Sequence, residues 1–197
     1  MARLTRASTP PARRPALAVA LTCLVAAGCV PLPAARLRLA GETTTRIGSA
    51  NDFVPYDQPL SKGSIMLCLT EPATAILTDV AIGGGKGNVK VDAFALRPRT
   101  SDDPAPPLGD EMGPLAANPG FEPGGTQEIT AVCGDSSDPG GLQAVELGLQ
   151  LSWGAGEVAG GPQIELTYLV DGRTVHSSIP WEIWLCRQRC PDDVFVN

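Results

Sequence analysis

Along much of the second half of the chain, hydrophobic and polar positions alternate with a period of two. Val145, Leu147, Leu149, Leu151 and Trp153 interleave with Glu146, Gly148, Gln150 and Ser152. Alternation of that length predicts a β-strand with one face toward a core and the other toward water. Ile164, Leu166, Tyr168 and Val170 alternate in the same way with Glu165, Thr167 and Leu169; Asp171-Gly172 and a further run from Thr174 to Ile179 follow. Asp-Gly between two such runs predicts a hairpin with a type I′ turn, in which both central residues need positive φ.

Ile65–Leu69, Ala75–Ile82, Val89–Leu96, Gln127–Cys133 and Trp181–Cys186 complete a set of about eight short strands. Gly- and Pro-rich turns separate them, and no segment shows the apolar period of an amphipathic helix. The pattern predicts an all-β fold: an antiparallel two-sheet sandwich, immunoglobulin-like in the broad sense, with a small β-barrel as the alternative.

The same pattern suggests domain limits. Residues 63–191 read as the β-sandwich domain and 192–197 as a short tail. Residues 29–62, punctuated by Pro31, Pro33, Pro55 and Pro59, read as a tether with an edge strand near Phe53. One segment breaks the rhythm: residues 99–125 hold six prolines and five glycines, with Asp102, Asp103, Asp110 and Glu111 among them. With little apolar material to pin it, this stretch is expected to be a mobile acidic surface loop.

The N-terminus carries an address. Met1 to Pro15 contains Arg3, Arg6, Arg13 and Arg14 and no acid, and Ala16 to Ala27 is an apolar run of twelve residues. A bilayer-spanning helix needs about 20, so the run is expected to be a secretory signal core. It exits through Leu24-Val25-Ala26-Ala27-Gly28-Cys29.

Basic region, short apolar core and Ala-Ala-Gly-Cys together resemble the bacterial lipoprotein signal. In style the segment is similar to those of small exported lipoproteins of high-GC Gram-positive (actinobacterial-type) bacteria. The resemblance covers residues 1–29 only. It implies diacylglyceryl transfer to the Cys29 thiol, cleavage after Gly28, and attachment to the lipid bilayer through Cys29. An ordinary signal cut after Ala35 and export through a twin-arginine route at Arg13-Arg14 are the alternatives. At least two acyl chains would hold such a protein firmly, where a single chain holds only marginally.

Charge sharpens this reading. Loss of the four signal arginines lowers Lys+Arg from 15 to 11 against 21 Asp+Glu, so the formal charge of −6 becomes −10. An acidic body is repelled by nucleic-acid phosphates and anionic lipid, which argues against a nucleic-acid partner and leaves the lipid as the hold on the membrane.

Of six cysteines, Cys23 lies in the signal core and Cys29 takes the lipid. Cys68, Cys133, Cys186 and Cys190 remain, an even set that reads as two disulfides in an oxidising compartment. Three connectivities are possible, and Cys68–Cys133 with Cys186–Cys190 is the favoured one. A zinc site is disfavoured, because Cys-x3-Cys has no second close pair and the one histidine is not adjacent.

Catalytic signals are sparse. His176 neighbours Ser177 and Ser178, but consecutive strand residues face opposite ways, and there is no Gly-x-Ser-x-Gly elbow. Gly83-Gly84-Gly85-Lys86-Gly87-Asn88 lacks the spacing of a phosphate-binding P-loop and reads as a hairpin loop. Asp102-Asp103, Asp110-Glu111 and Asp192-Asp193 are carboxylate pairs, and Asp135-Ser136-Ser137-Asp138 is at most a partial calcium loop. No metal and no cofactor are expected.

Trp181-Glu182-Ile183-Trp184 places two indoles on opposite strand faces. The favoured reading packs Trp184 on the 186–190 loop while Trp181 joins Trp153 in the core; an exposed Trp184 as the contact for a partner is the alternative. These features describe a lipid-anchored module on the extracytoplasmic face of the cell membrane, non-catalytic, engaging an envelope protein or glycan. A hydrolase of envelope glycans or peptides using a carboxylate pair is the alternative.

Overall fold

A computed structural model describes residues 35–40, 47–99, 105–134, 143–154 and 156–195. Its twelve strands are β1 (Leu37–Leu39), β2 (Ile47–Asn51), β3 (Leu60–Leu69), β4 (Ala75–Gly83), β5 (Val89–Arg99), β6 (Asp110–Met112), β7 (Glu128–Ile129), β8 (Ala144–Trp153), β9 (Val158–Gly161), β10 (Gln163–Val170), β11 (Arg173–Ile179) and β12 (Trp181–Cys186). One sheet runs β1–β3–β8–β5, with β6 also on β3; a second runs β11–β10–β4–β7. The pairings within both are antiparallel, and neither closes into a barrel. The fold is the expected all-β sandwich. A third, smaller sheet, β2–β12–β9, joins them and contains one parallel pair, β2 with β12.

The period-two runs do what their pattern demands. Leu147, Leu149, Leu151 and Trp153 of β8 enter a single core with Ile164, Leu166, Tyr168 and Val170 of β10, and Trp181, Ile183 and Leu185 of β12 join them. Asp171 and Gly172 form the turn between β10 and β11 with φ of 51° and 71°, the two positive values a type I′ hairpin requires.

Three expectations are corrected. Of the supposed tether, residues 35–40 and 47–62 are part of the folded body. Ala35 and Leu37 are buried in the core, β1 pairs with the end of β3, and the Leu37 N–H donates to Tyr168 Oη at 3.2 Å. Val54 is also buried, and Tyr56 lies 4.7 Å from Trp153 between ring centroids. The edge strand expected near Phe53 is β2, at the edge of the third sheet; it ends at Asn51, and the chain turns at Phe53 with φ of 59°.

The expected mobile loop is, from Ala105 on, a packed cover over the outer face of β8. Leu108, Leu115 and Phe121 form a second apolar cluster with Ala95. Phe121 sits where a side chain on Gly148 would otherwise be, 2.6 Å from the Cβ position of that glycine. Three scattered apolar residues suffice because a glycine on the facing strand makes a socket for the ring. Asp102 and Asp103 lie outside the described residues.

The glycine run 83–88 does not close a hairpin, since β4 and β5 belong to different sheets. It crosses between them while pressing on β9: Lys86 N–H donates to Gly160 O at 2.8 Å, and Gly160 N–H donates to Lys86 O at 2.9 Å. A Cβ on Gly85 would stand 1.7 Å from Gly160 O, and one on Gly160 would stand 2.0 Å from Ile183 O. Three backbones are layered at a spacing that only glycine permits. Gly160→Ala is accordingly expected to cost about 3 kcal/mol of stability through overpacking, read as a shift in the denaturant midpoint with unchanged slope.

Candidate functional site

The site grows out of β12, which is buried along its whole length. Trp181, Ile183 and Leu185 face the main core, so Glu182 and Trp184 face the other way. Room for them comes from the neighbouring strands, where Gly48 of β2 stands opposite Glu182 and Gly160 of β9 opposite Trp184. A Cβ on Gly48 would meet that of Glu182 at 2.5 Å. The Trp184 Nε1–H donates to Glu182 Oε2 at 3.3 Å, which fixes the indole plane relative to the carboxylate.

Around this pair opens a cleft of about 240 Å³. Lys86 comes from the crossing between β4 and β5, Val158 and Pro162 come from either end of β9, and Pro191 and Asp193 follow the last disulfide. The C-terminal rim is pinned in two ways. Cys186 and Cys190 are bonded, and Asp52 Oδ1 accepts the Cys190 N–H at 2.7 Å. Trp184 and Glu182 are only 7% and 3% exposed, so the cleft offers a fixed indole set into its wall and not a free aromatic finger. Trp184 is packed and not exposed, as the favoured reading has it: glycines on both flanking strands let it sink into the wall.

All four cysteines of the body are in disulfides, Cys68 with Cys133 and Cys186 with Cys190. Cys29 lies outside the described residues, as does the Asp135–Asp138 segment. Among the described residues, no group of three or more His, Cys, Asp and Glu is placed to hold a metal ion.

His176 is exposed, its Nδ1 3.0 Å from Thr167 Oγ1, in an open hollow on the β10–β11 surface. Ser177 is half-buried, with its Oγ enclosed. Asp110 pairs with Lys62, and Glu111 and Asp192 are exposed. Of the sequence candidates, the fold thus brings together Trp184 and Asp193 alone, and it adds Glu182 and Lys86 to them. Glu182 had a readable signal, being a charged residue inside the apolar run Trp-Glu-Ile-Trp-Leu. The contribution of Lys86 had none, since it depends on the β4–β5 crossing.

Fold and site define a disulfide-bonded antiparallel β-sandwich with a tryptophan-walled cleft. No protein-family model matches the chain, and no curated protein matches it in sequence, so the reading of the cleft rests on its own residues.

Proposed function

We propose that this protein is a lipid-anchored module on the extracytoplasmic face of the cell membrane that binds an envelope ligand without transforming it. The observation that carries the reading is the cleft at Trp184: a rigid aromatic wall with a few polar groups converging on it is the ordinary form of a ligand site. The location is supported by the lipoprotein-like signal ending at Cys29. It is supported also by the pairing of all four cysteines of the body, because structural disulfides persist in oxidising compartments and are rare in the cytosol.

Thiol alkylation followed by intact mass measurement tests this reading. In the protein taken from cells, no cysteine of the body should be alkylated before reduction and all four should be afterwards. Two or four reactive thiols in the unreduced protein would argue for a reducing compartment and against the proposal. A second reading, hydrolysis of envelope glycans or peptides, is favoured by one observation: Glu182 and Asp193 line the same cleft. Recovery of a bound glycan intact after prolonged incubation separates binding from hydrolysis.

A further inference from the structure

The cleft at Trp184, we propose, takes one pyranose unit of an uncharged saccharide; this inference rests on the binding-module reading above and names its ligand class. The wall is apolar and stiff. The Trp184 indole is held by its hydrogen bond to Glu182, and Val158, Pro162 and Pro191 stand around it. Two prolines and a pinned indole have little rotamer freedom to lose when the C–H face of a sugar ring settles on them.

The polar lining carries both signs, so no simple ion is complementary to all of it. Glu182 and Asp193 are acceptors, and each would repel a phosphate or carboxylate. Lys86 is a donor at the same rim and would repel an ammonium or guanidinium. A hydroxyl both donates and accepts, so a polyol satisfies the two sets together where a simple ion opposes one of them. Size agrees, because about 240 Å³ lies below the roughly 300–1,000 Å³ of sites for drug-sized molecules and suits a single ring. The site is also preformed. The reciprocal backbone bonds between Lys86 and Gly160 hold the base of the Lys86 side chain in place before any ligand arrives.

The test is calorimetric titration of the full mature protein in a non-glycosidic detergent. The probes are a trisaccharide of N-acetylglucosamine and one of glucose, with inorganic phosphate and an arginine-ended tripeptide for comparison. One trisaccharide should saturate at one ligand per chain, at least tenfold more tightly than either ion. Trp184→Ala should weaken that binding at least tenfold. Lys86→Glu, at an exposed position that does not threaten folding, should weaken it about fivefold.

Failure of both trisaccharides to bind would overturn the proposal, as would binding indifferent to both variants. Preferential binding of the arginine peptide, lost in Trp184→Ala, would overturn the saccharide class and leave the binding module standing. Cleavage of the trisaccharide, abolished by Glu182→Gln, would support the saccharide class and overturn the non-catalytic reading.

Discussion

Replacing Cys29 by alanine is expected to move the protein from the membrane fraction to the soluble extracytoplasmic fraction almost completely. The expectation follows from what would remain without the lipid. Each buried methylene of an acyl chain contributes about 0.8 kcal/mol, and two or more chains make attachment effectively stable. Charge does not replace that: the processed chain would carry 11 Lys+Arg against 21 Asp+Glu, and an acidic surface is repelled by anionic headgroups. The body itself should be indifferent to the substitution, since among the described residues its first core residue is Ala35.

Because the variant also removes the cleavage point, a second version that exports the chain from Val30 onward behind a signal without a lipobox gives the cleaner comparison. Both are read by fractionation and by the mass of the mature N-terminus. An acyl-free mature chain that stays with the membrane at high salt would sink the anchoring proposal.

Glu146→Ala is expected to cost about 3–5 kcal/mol, a large share of the roughly 5–15 kcal/mol that stabilises a domain. Glu146 is fully buried. Its Oε2 accepts from Arg97, Nη2 at 2.5 Å and Nε at 3.1 Å, and its Oε1 accepts the Leu108 N–H at 2.6 Å and the Ser64 N–H at 3.0 Å. A bulge in β3 between Lys62 and Ile65, with Ser64 at φ of 63°, turns that last N–H toward the carboxylate. Truncation would leave a guanidinium that is only 13% exposed beside two backbone donors stripped of their acceptor.

Glu146→Gln keeps an acceptor for part of this set and should cost less. Glu146→Leu combined with Arg97→Met should cost less than the sum of the single changes, because neither Arg97 nor Glu146 is then left without the other. Arg99, 3.9 Å from Glu146 Oε2, loses that carboxylate in both Glu146→Leu and the double variant. Denaturant unfolding of the parent, the four single variants and the double variant measures these differences. A loss below about 1 kcal/mol in Glu146→Ala would show that the buried pair does not hold the cover. Limited proteolysis should cut the Glu146→Ala protein within residues 105–125 well before the parent, since Leu108 is tied to this carboxylate.

How much of this was legible beforehand differs by feature. The long strands β8, β10, β11 and β12 were readable almost to the residue, because burial on one face of a sheet imposes its period directly on the sequence; β6 and β9, three and four residues long, were not. The Asp-Gly turn was readable because only certain residues adopt its backbone. The strand at Leu37–Leu39 also had a signal, Ala35-Arg36-Leu37-Arg38-Leu39 in alternation, but it is short and the prolines around it outweighed it. Glu146 was assigned to solvent because it falls on the polar phase of β8. The cover from Ala105 to Phe121 reverses that assignment from a distance, and no local pattern announces it.

What the sequence determined alone is therefore the part of the protein governed by local rules: the alternation that makes strands, the turn chemistry and the even cysteine set. Tertiary structure decided which strands share a sheet, that the crossing at Lys86 presses on β9, that a proline-rich segment becomes a lid, and that Glu182 and Trp184 line a cleft with Lys86 and Asp193. The division has one physical cause. Period and turn preference are set by a residue and its near neighbours, whereas a cleft is set by contacts between backbones far apart in sequence, here made possible by glycines at positions 48, 85 and 160 that leave no trace in the hydrophobic pattern.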